Sequence, residues 1–362
     1  MRVLSPTMRI QVVAIVLLIG CSNNNSEHPG GFIDASGADA TLADAPTADE
    51  AVAATDHLKE IFDKVDGARI IQVLRELAGE VPVMVNGASI TLGERFDDEG
   101  RQKFRDYFTQ TMQNLGLEIN PMHYQATNHP RAGDNVEAIL RGPSADSLII
   151  IVHYDSIGVR GTETANPGVD DDMSGMSILF ETARLFVEHR AQLGLTVRFV
   201  ASDEEELGGL AGARNYAAYI SALSKTDGFK LVAAVDDEQS GWNCSTDNLC
   251  GDTLFPAVDV FSCGGNGTNS FDNWPLGNQL TEIVTTYSTL HVKRGCLGAN
   301  SDHFAFGELG VPAIVYSEHT PFANPHFDRA GGDTFDKIDT DYLISIARPA
   351  ITFQAALAGL QK

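Results

Sequence analysis

Three groups of metal-binding side chains lie within about fifty residues of one another in this chain. They are His153 with Asp155, the three aspartates at 170–172, and the three glutamates at 204–206. Imidazole nitrogens and carboxylate oxygens are the ligands that divalent metal ions bind in many protein sites. A further carboxylate beside such an ion can accept a proton during catalysis. These residue types therefore predict a divalent metal centre that carries its own base.

The three groups follow predicted buried strands. His153 and Asp155 come directly after one apolar run, the glutamates follow the next, and Asp236 follows a third. In an open α/β sheet, ligand sites lie outside the carboxyl ends of the strands, so one rim receives all of these side chains. The predicted strands are 135–140, 147–152, 195–201, 230–235, 257–262 and 311–316, and the predicted helices are 98–115, 174–188, 212–223 and 279–290.

The alternation of strands and helices predicts the fold class. Continuous apolar runs are typical of strands that are buried on both faces. We therefore expect an α/β fold with three layers, in which a mostly parallel central sheet is flanked by helices on both faces. The apolar content of 43% supports a large core, and we expect residues 53–362 to form one catalytic domain.

The spacing within each group refines the chemistry. His153 and Asp155 lie two positions apart and share one face of an extended chain, so the carboxylate can orient the imidazole. Glu205 and Glu206 are adjacent and point in different directions, so one can bind metal while the other faces water. The acids at 170–172 precede an apolar helix, and they would also suit the positive end of that helix.

Four motifs carry a resemblance to a known family. They are HYDS at 153–156, GVDDDMSG at 168–175, SDEEELGG at 202–209, and SDHFAF…GVPA…NPHFDRAGGDT within 301–334. They resemble the co-catalytic zinc aminopeptidases, the first three motifs also in order and spacing, and the fold of that family also carries carboxypeptidases and glutaminyl cyclases. The resemblance extends over about residues 85–360 and implies a zinc peptidase domain with two zinc ions.

The resemblance implies a role for each matching residue of this sequence. The implied metal ligands are His153, Asp171, Glu206, Asp236 and His326, with Asp171 bridging both ions; Glu205 is the implied general base, and Asp155 is the residue that orients His153. The resemblance also implies a cis peptide bond between Asp171 and Asp172.

The last metal ligand is the least determined of these assignments. The family's late histidine usually lies two positions after His326, where this chain has Asp328, so Asp328 and His319 compete with it. Asp237 competes in the same way with Asp236.

The glutamate loop leaves a second alternative open. It carries one residue more than the family pattern, which leaves Glu204 as an alternative base with Glu205 as the ligand. For His303 we expect a supporting role rather than direct metal binding.

The predicted function is metal-assisted hydrolysis of a peptide bond by an aminopeptidase. Its substrate would be a peptide with a free N-terminus, whose amine the surplus carboxylates can bind. Three alternatives stay open: a carboxypeptidase, a glutaminyl cyclase-like enzyme that uses a single zinc ion, and a non-catalytic lipoprotein that binds metal or peptides.

The N-terminal segment predicts export. Residues 1–20 combine Arg2 and Arg9 with a short apolar run, and the sequence that ends in Cys21 resembles a bacterial lipobox. We expect a lipid on Cys21 to anchor the protein at the cell envelope, at the outer membrane in a Gram-negative cell. Residues 21–52 are polar and acidic, which predicts a disordered tether.

Charge and cysteine content limit the partners. The formal net charge of -24 argues against binding to nucleic acid or to anionic lipid. We expect a monomer whose only membrane contact is the lipid. Four further cysteines allow two disulfides in an exported protein, and we favour Cys244–Cys250 and Cys263–Cys296 among the three possible pairings.

Overall fold

The computed structural model describes residues 56–125, 132–157, 166–206, 209–243, 252–259, 274–297, 301–318, 324–326 and 332–360. In this part of the chain the helices are α1 His57–Lys64, α2 Gly67–Leu77, α3 Asp98–Asn114, α4 Met173–Glu188, α5 Ala211–Asp227, α6 Trp274–Tyr287, α7 His303–Gly307 and α8 Thr340–Leu357. The strands are β1 Val83–Val85, β2 Ala88–Ile90, β3 Glu118–Gln125, β4 Ala132–Leu140, β5 Ser147–His153, β6 Thr196–Ser202, β7 Leu231–Asp237, β8 Thr253–Asp259, β9 His291–Val292, β10 Gly295–Leu297 and β11 Ala313–Glu318.

The large sheet has the strand order β10-β8-β11-β7-β5-β6-β4-β3, and β9 also pairs with β8. Its centre is parallel: β5 pairs in parallel with β6 and β7, and β7 pairs in parallel with β11. The pairs β3–β4, β4–β6 and β8–β11 are antiparallel. Strands β1 and β2 form a separate hairpin. The prediction of a mostly parallel sheet is therefore confirmed.

Strand β5 shows why the fold has three layers. Its residues are buried on both faces, and successive side chains of a strand point to opposite sides. Leu148 and Ile150 belong to the core that contains the apolar faces of α2, α4 and α8. Ile149 and Ile151 belong to a second core, with residues of α5 and α7. Both faces of the sheet are covered by helices, as the apolar runs predicted.

Two predicted elements are displaced along the chain. The strand expected at 257–262 is β8, which begins at Thr253, and the helix expected at 279–290 is α6, which begins at Trp274. Pro275 lies in the first turn of α6, where a proline disrupts no helical hydrogen bond and its fixed φ suits the helix. Proline is a helix breaker elsewhere, so the sequence pattern alone places this start too late.

Some predictions fall outside the described residues. The predicted leader, the lipid site at Cys21 and the tether all precede residue 56, so export and anchoring stay predictions. Cys296 lies on β10, but its three possible partners lie outside the described residues, and the disulfides also stay predictions. None of the helices in the described ranges is both long enough and apolar enough to cross a bilayer.

Candidate metal centre and active site

Three buried side chains meet at the carboxyl edge of the sheet. His153 is the last residue of β5, Asp171 lies just before α4, and Glu238 comes directly after β7. The Nε2 atom of His153 lies 2.9 Å from Asp171 Oδ1 and 3.9 Å from Glu238 Oε1. Within the described residues, this is the only group of three or more His, Cys, Asp or Glu side chains whose ligand atoms all lie within 4.8 Å of one another. The group could hold one metal ion.

The donor set and its surroundings suit zinc. Zinc binds imidazole nitrogen and carboxylate oxygen at about 2.0–2.2 Å, so two ligand atoms of one tetrahedral ion lie roughly 3.3 Å apart. The two distances from His153 lie on either side of that value. Burial, together with the neighbouring charge of Asp171, raises the pKa of Glu238 well above its usual range. In the described part of the chain, the buried atoms Asp236 Oδ1 and Asp302 Oδ1 have no hydrogen-bond partner. A divalent cation would offset this surplus of buried negative charge.

The aspartates at 170–172 have three separate partners. Asp170 Oδ1 accepts a hydrogen bond of 2.7 Å from the backbone N–H of Gly241. Asp171 faces the imidazole of the metal group. Asp172 caps helix α4, because its Oδ1 accepts a 3.0 Å bond from the backbone N–H of Gly175. The peptide bond between Asp171 and Asp172 is cis, as the resemblance implied. Asp172 therefore acts as a helix cap, whereas Asp171 is placed where it could bind a metal ion.

Asp155 links the imidazole to the glutamate loop. The Nδ1 atom of His153 lies 3.2 Å from the backbone oxygen of Asp155 and 3.6 Å from its Oδ1, which leaves Nε2 to face the metal group. The same carboxylate accepts the backbone N–H groups of Glu205 at 3.0 Å and of Glu206 at 3.3 Å. Burial opposes the ionisation of Asp155, but His153, Arg101 and the N–H of Glu205 outweigh it, so its pKa lies below the usual value. Asp155 is therefore a carboxylate that holds both halves of the site.

Glu205 and Glu206 on this loop lie in a strongly acidic environment. Both are half-buried. Burial, and then the charges of Asp302 and Asp171, raise the pKa of Glu205 well above its ordinary value, although His153 acts in the opposite direction. Burial, Asp171 and Glu205 raise the pKa of Glu206 in the same way. A carboxylate in such a place accepts a proton more readily than an exposed one, which is what a general base requires.

The acids at the end of β7 and directly after it have different surroundings, and these differ from the prediction. Asp236 was expected to bind metal, but its Oδ2 accepts bonds from Ser301 Oγ at 2.5 Å and from the backbone N–H of His303 at 2.8 Å. Glu238 lies on the same side of the chain, two residues on, and its Oε1 lies 2.6 Å from the same Ser301 Oγ atom. Its position beyond the strand and its longer side chain bring it to the imidazole of the metal group. Asp237 points to the opposite face and lies in the core. The structure therefore groups Glu238, and not Asp236 or Asp237, with the other ligand atoms.

The late residues are only partly described. The backbone N–H of His326 donates to Asn324 Oδ1 at 2.9 Å, and the Nδ2 atom of this buried Asn324 donates to Asp170 Oδ2 at 2.7 Å. The loop that carries His326 is thus tied to the aspartate run, but His326 is not in the metal group. Asp328 and His319, its two competitors, lie outside the described residues.

Two further residues contact the site, and the sequence analysis did not single them out. The carboxylate of Asp333 accepts both backbone N–H groups of residues 170–171, at 2.7 and 3.0 Å. Arg101 lies on the buried face of α3 with Phe104 and Phe108 and reaches the glutamate loop. A cation at helical spacing within an apolar face was the available signal for Arg101. The contact between the Asp333 carboxylate and the two backbone N–H groups forms only when the chain folds, so the sequence near Asp333 contains no signal for it.

Comparisons with known proteins identify the family of the chain. The model of Peptidase family M28 matches residues 135–354, which is more than half of the chain. This chain belongs to peptidase family M28. A "Probable leucine aminopeptidase" from Arthroderma otae is 25% identical over 267 residues, which cover 72% of this chain and 68% of that protein. Seven further curated leucine aminopeptidases are matched over 55% to 63% of their length.

Solved structures show the same fold. The zinc aminopeptidase BSAP from Bacillus subtilis superimposes with a TM-score of 0.63 at 11% identity, over 82% of this M28 chain and 96% of that chain. The glutaminyl cyclase of Fimbriiglobus ruber superimposes with a TM-score of 0.59 at 17% identity, over 83% and 96%. At these identities the likeness concerns the fold alone, and both activities occur on it.

Proposed function

We propose that this M28 protein is an aminopeptidase that binds two zinc ions and hydrolyses the first peptide bond of a peptide with a free N-terminus. One observation carries the proposal: Asp155 holds the metal-facing His153 and also the backbone of the loop that presents Glu205 and Glu206. A metal ligand and a candidate base are thereby fixed to one carboxylate. The names of the curated M28 relatives support the choice of aminopeptidase.

The proposed ligand set differs from the prediction at one position. His153, Asp171, Glu206 and His326 keep their proposed roles, and Glu238 replaces Asp236 because its Oε1 faces the imidazole. Bound zinc would polarise the scissile carbonyl and lower the pKa of water. Glu205 would take a proton from the attacking water and deliver it to the departing amine. Asp155 would keep His153 in the tautomer that leaves Nε2 available.

Neutralising Glu205 tests the proposal. Glu205→Gln should lower kcat on amino-acid anilides by about 10²–10⁴-fold, the usual contribution of general acid–base catalysis, while the zinc content stays that of wild type. The neighbouring variant Glu206→Gln is the matched control, because it should lose zinc together with activity. Full activity in Glu205→Gln would rule out its role as the base.

The substrate class is tested separately. The enzyme should cleave anilides with a free amine and leave N-acetylated ones intact, and a chelator should abolish the cleavage. Cleavage of N-acetylated peptides from their C-terminus would indicate a carboxypeptidase instead. Cyclisation of N-terminal glutamine without any anilide cleavage would indicate a glutaminyl cyclase.

A further inference from the structure

We propose that Arg101 is a positioning residue that holds the loop of Glu204, Glu205 and Glu206 in its active geometry, an inference that rests on the proposed function for its effect on catalysis. Arg101 lies on α3, upstream of the region 135–354 that matches the family. The segment before that region would then contribute directly to the catalytic unit.

Arg101 is the central cation among three buried carboxylates. It is 3% exposed, and its Nη1 donates to Glu204 Oε1 and lies 3.2 Å from Asp203 Oδ1. Its Nη2 lies 4.0 Å from Asp155 Oδ2. The exposed fractions of these three acids are 0%, 2% and 0%. Buried charges of one sign at such distances repel strongly unless a cation lies between them.

The guanidinium is itself held in a fixed orientation. Its Nε donates a 3.0 Å bond to the backbone oxygen of Arg95. Arg95 is also buried, and its guanidinium donates to the backbone oxygens of Gly93, Tyr154 and Gly168. The planar fork of Arg101 therefore approaches the acids from a direction that α3 and the preceding loop determine. Lysine could replace the charge but not this fork.

The effect of Arg101 reaches Glu205 by two routes. One is Asp155, whose carboxylate accepts the backbone N–H groups of Glu205 and Glu206. The other is Glu204, the residue directly before the proposed base. Glu204 has a φ of 59°, a left-handed backbone conformation that residues other than glycine rarely adopt. Arg101 holds the side chain of that residue, so it fixes where the following backbone turns.

The test compares Arg101→Met and Arg101→Lys with Arg198→Met. Arg198 is an equally buried arginine, 4% exposed, and its Nη1 bonds to the buried carboxylate of Glu137 at 2.6 Å. It lies near the start of β6, at the opposite end of the strand that leads into the glutamate loop. The control therefore measures what the loss of any buried arginine does to this fold.

We expect Arg101→Met to lower kcat by about 10–100-fold, the usual effect of losing a residue that supports a site, while KM and zinc content change little. Arg101→Lys should lie between Arg101→Met and wild type. Hydrogen exchange of the Glu205 and Glu206 amides should be at least about tenfold faster in Arg101→Met, because the variant loses both the bond to Glu204 and the cation beside their acceptor Asp155. Arg198→Met should lower Tm about as much as Arg101→Met does, but it should change neither kcat nor the exchange of the two amides.

Several results would overturn the inference. They are wild-type kcat and exchange in Arg101→Met, an equal loss of kcat in Arg198→Met, or a loss of kcat without faster exchange of the two amides. If Arg101→Met does not fold, Arg101→Lys decides by the same readouts. Failure of the proposed function has a different signature: Glu205→Gln is fully active or wild type cleaves no peptide. The exchange measurement still decides the role of Arg101 in that case.

Discussion

The three consecutive acids at 236–238 should respond differently when each is neutralised, although they are adjacent in the sequence. Glu238→Gln changes one of the three ligand atoms of the metal group, so it should weaken zinc binding more than about 100-fold. That threshold is the upper end of the usual 10–100-fold effect of residues that only support a ligand.

Asp236→Asn should fall within that range of about 10–100-fold, because Asp236 acts through a shared partner. The Oγ atom of Ser301 lies 2.5 Å from Asp236 Oδ2 and 2.6 Å from Glu238 Oε1, so Asp236 influences where the Glu238 carboxylate lies. Asp237→Asn should leave zinc binding unchanged, since Asp237 faces the core. Its two oxygens accept bonds of 2.8 and 3.0 Å from Gln354 Nε2. Loss of one of these hydrogen bonds in Asp237→Asn should lower the free energy of unfolding by about 0.5–1.5 kcal/mol.

The assay is a competition titration of each purified variant against a chromogenic zinc chelator, combined with urea unfolding of the metal-free protein. The titration reports affinity without requiring activity, so it does not depend on the proposed substrate. The assignment of Glu238 would be refuted if Asp236→Asn lost more affinity than Glu238→Gln. Equal losses in Asp237→Asn and Glu238→Gln would show that the response reflects general damage to β7.

Three further predictions concern the surroundings of the site. Asp333→Ala should weaken zinc binding by about 10–100-fold in the same titration, because its carboxylate holds both backbone N–H groups of residues 170–171. Unchanged affinity would contradict this role. Gly175→Ala should lower the free energy of unfolding by at least about 1–3 kcal/mol in urea, because the added Cβ would lie 2.3 Å from a backbone oxygen of β7; a neutral effect would mean that α4 can move away from the sheet. Arg198→Met should cost about 3–5 kcal/mol by the same measurement, because it removes the cation from the buried carboxylate of Glu137 and leaves only hydrogen bonds from Tyr216 and Asn120. A loss below about 1 kcal/mol would show that this pair is already hydrated.

The part of the fold that the sequence predicts is the part that local periodicity encodes. Strands β5, β6 and β7 were predicted within one or two residues at each end, because a strand buried on both faces is a continuous apolar run. Helix α8, Thr340–Leu357, was not predicted, and it contains Pro349. A proline inside a helical pattern favours a break in isolation. In the structure this helix packs against the central core, which overrides the local preference.

In the site, too, local features were predictable from the sequence and long-range contacts were not. The rim that carries His153, the aspartate run and the glutamate loop follows from strand ends and chain order, and both are local properties of the sequence. The choice of Glu238 over Asp236 depends on how far each side chain reaches from the end of β7 and on a hydroxyl contributed by Ser301, 63 residues beyond Glu238. The local sequence pattern contains no information on how far these side chains reach or on their contact with Ser301.

The sequence by itself determined the fold class, the edge of the sheet where the proposed metal ligands meet, and the residue types of those ligands, because strand periodicity and motif spacing act over a few residues. Only the tertiary structure decided which acid faces the imidazole and which cation holds the glutamate loop. Arg101 and Glu204 are separated by 103 positions in the chain, and their contact exists only because α3 packs against β3 and β4. Such contacts depend on burial and direction in three dimensions, which a linear pattern does not contain.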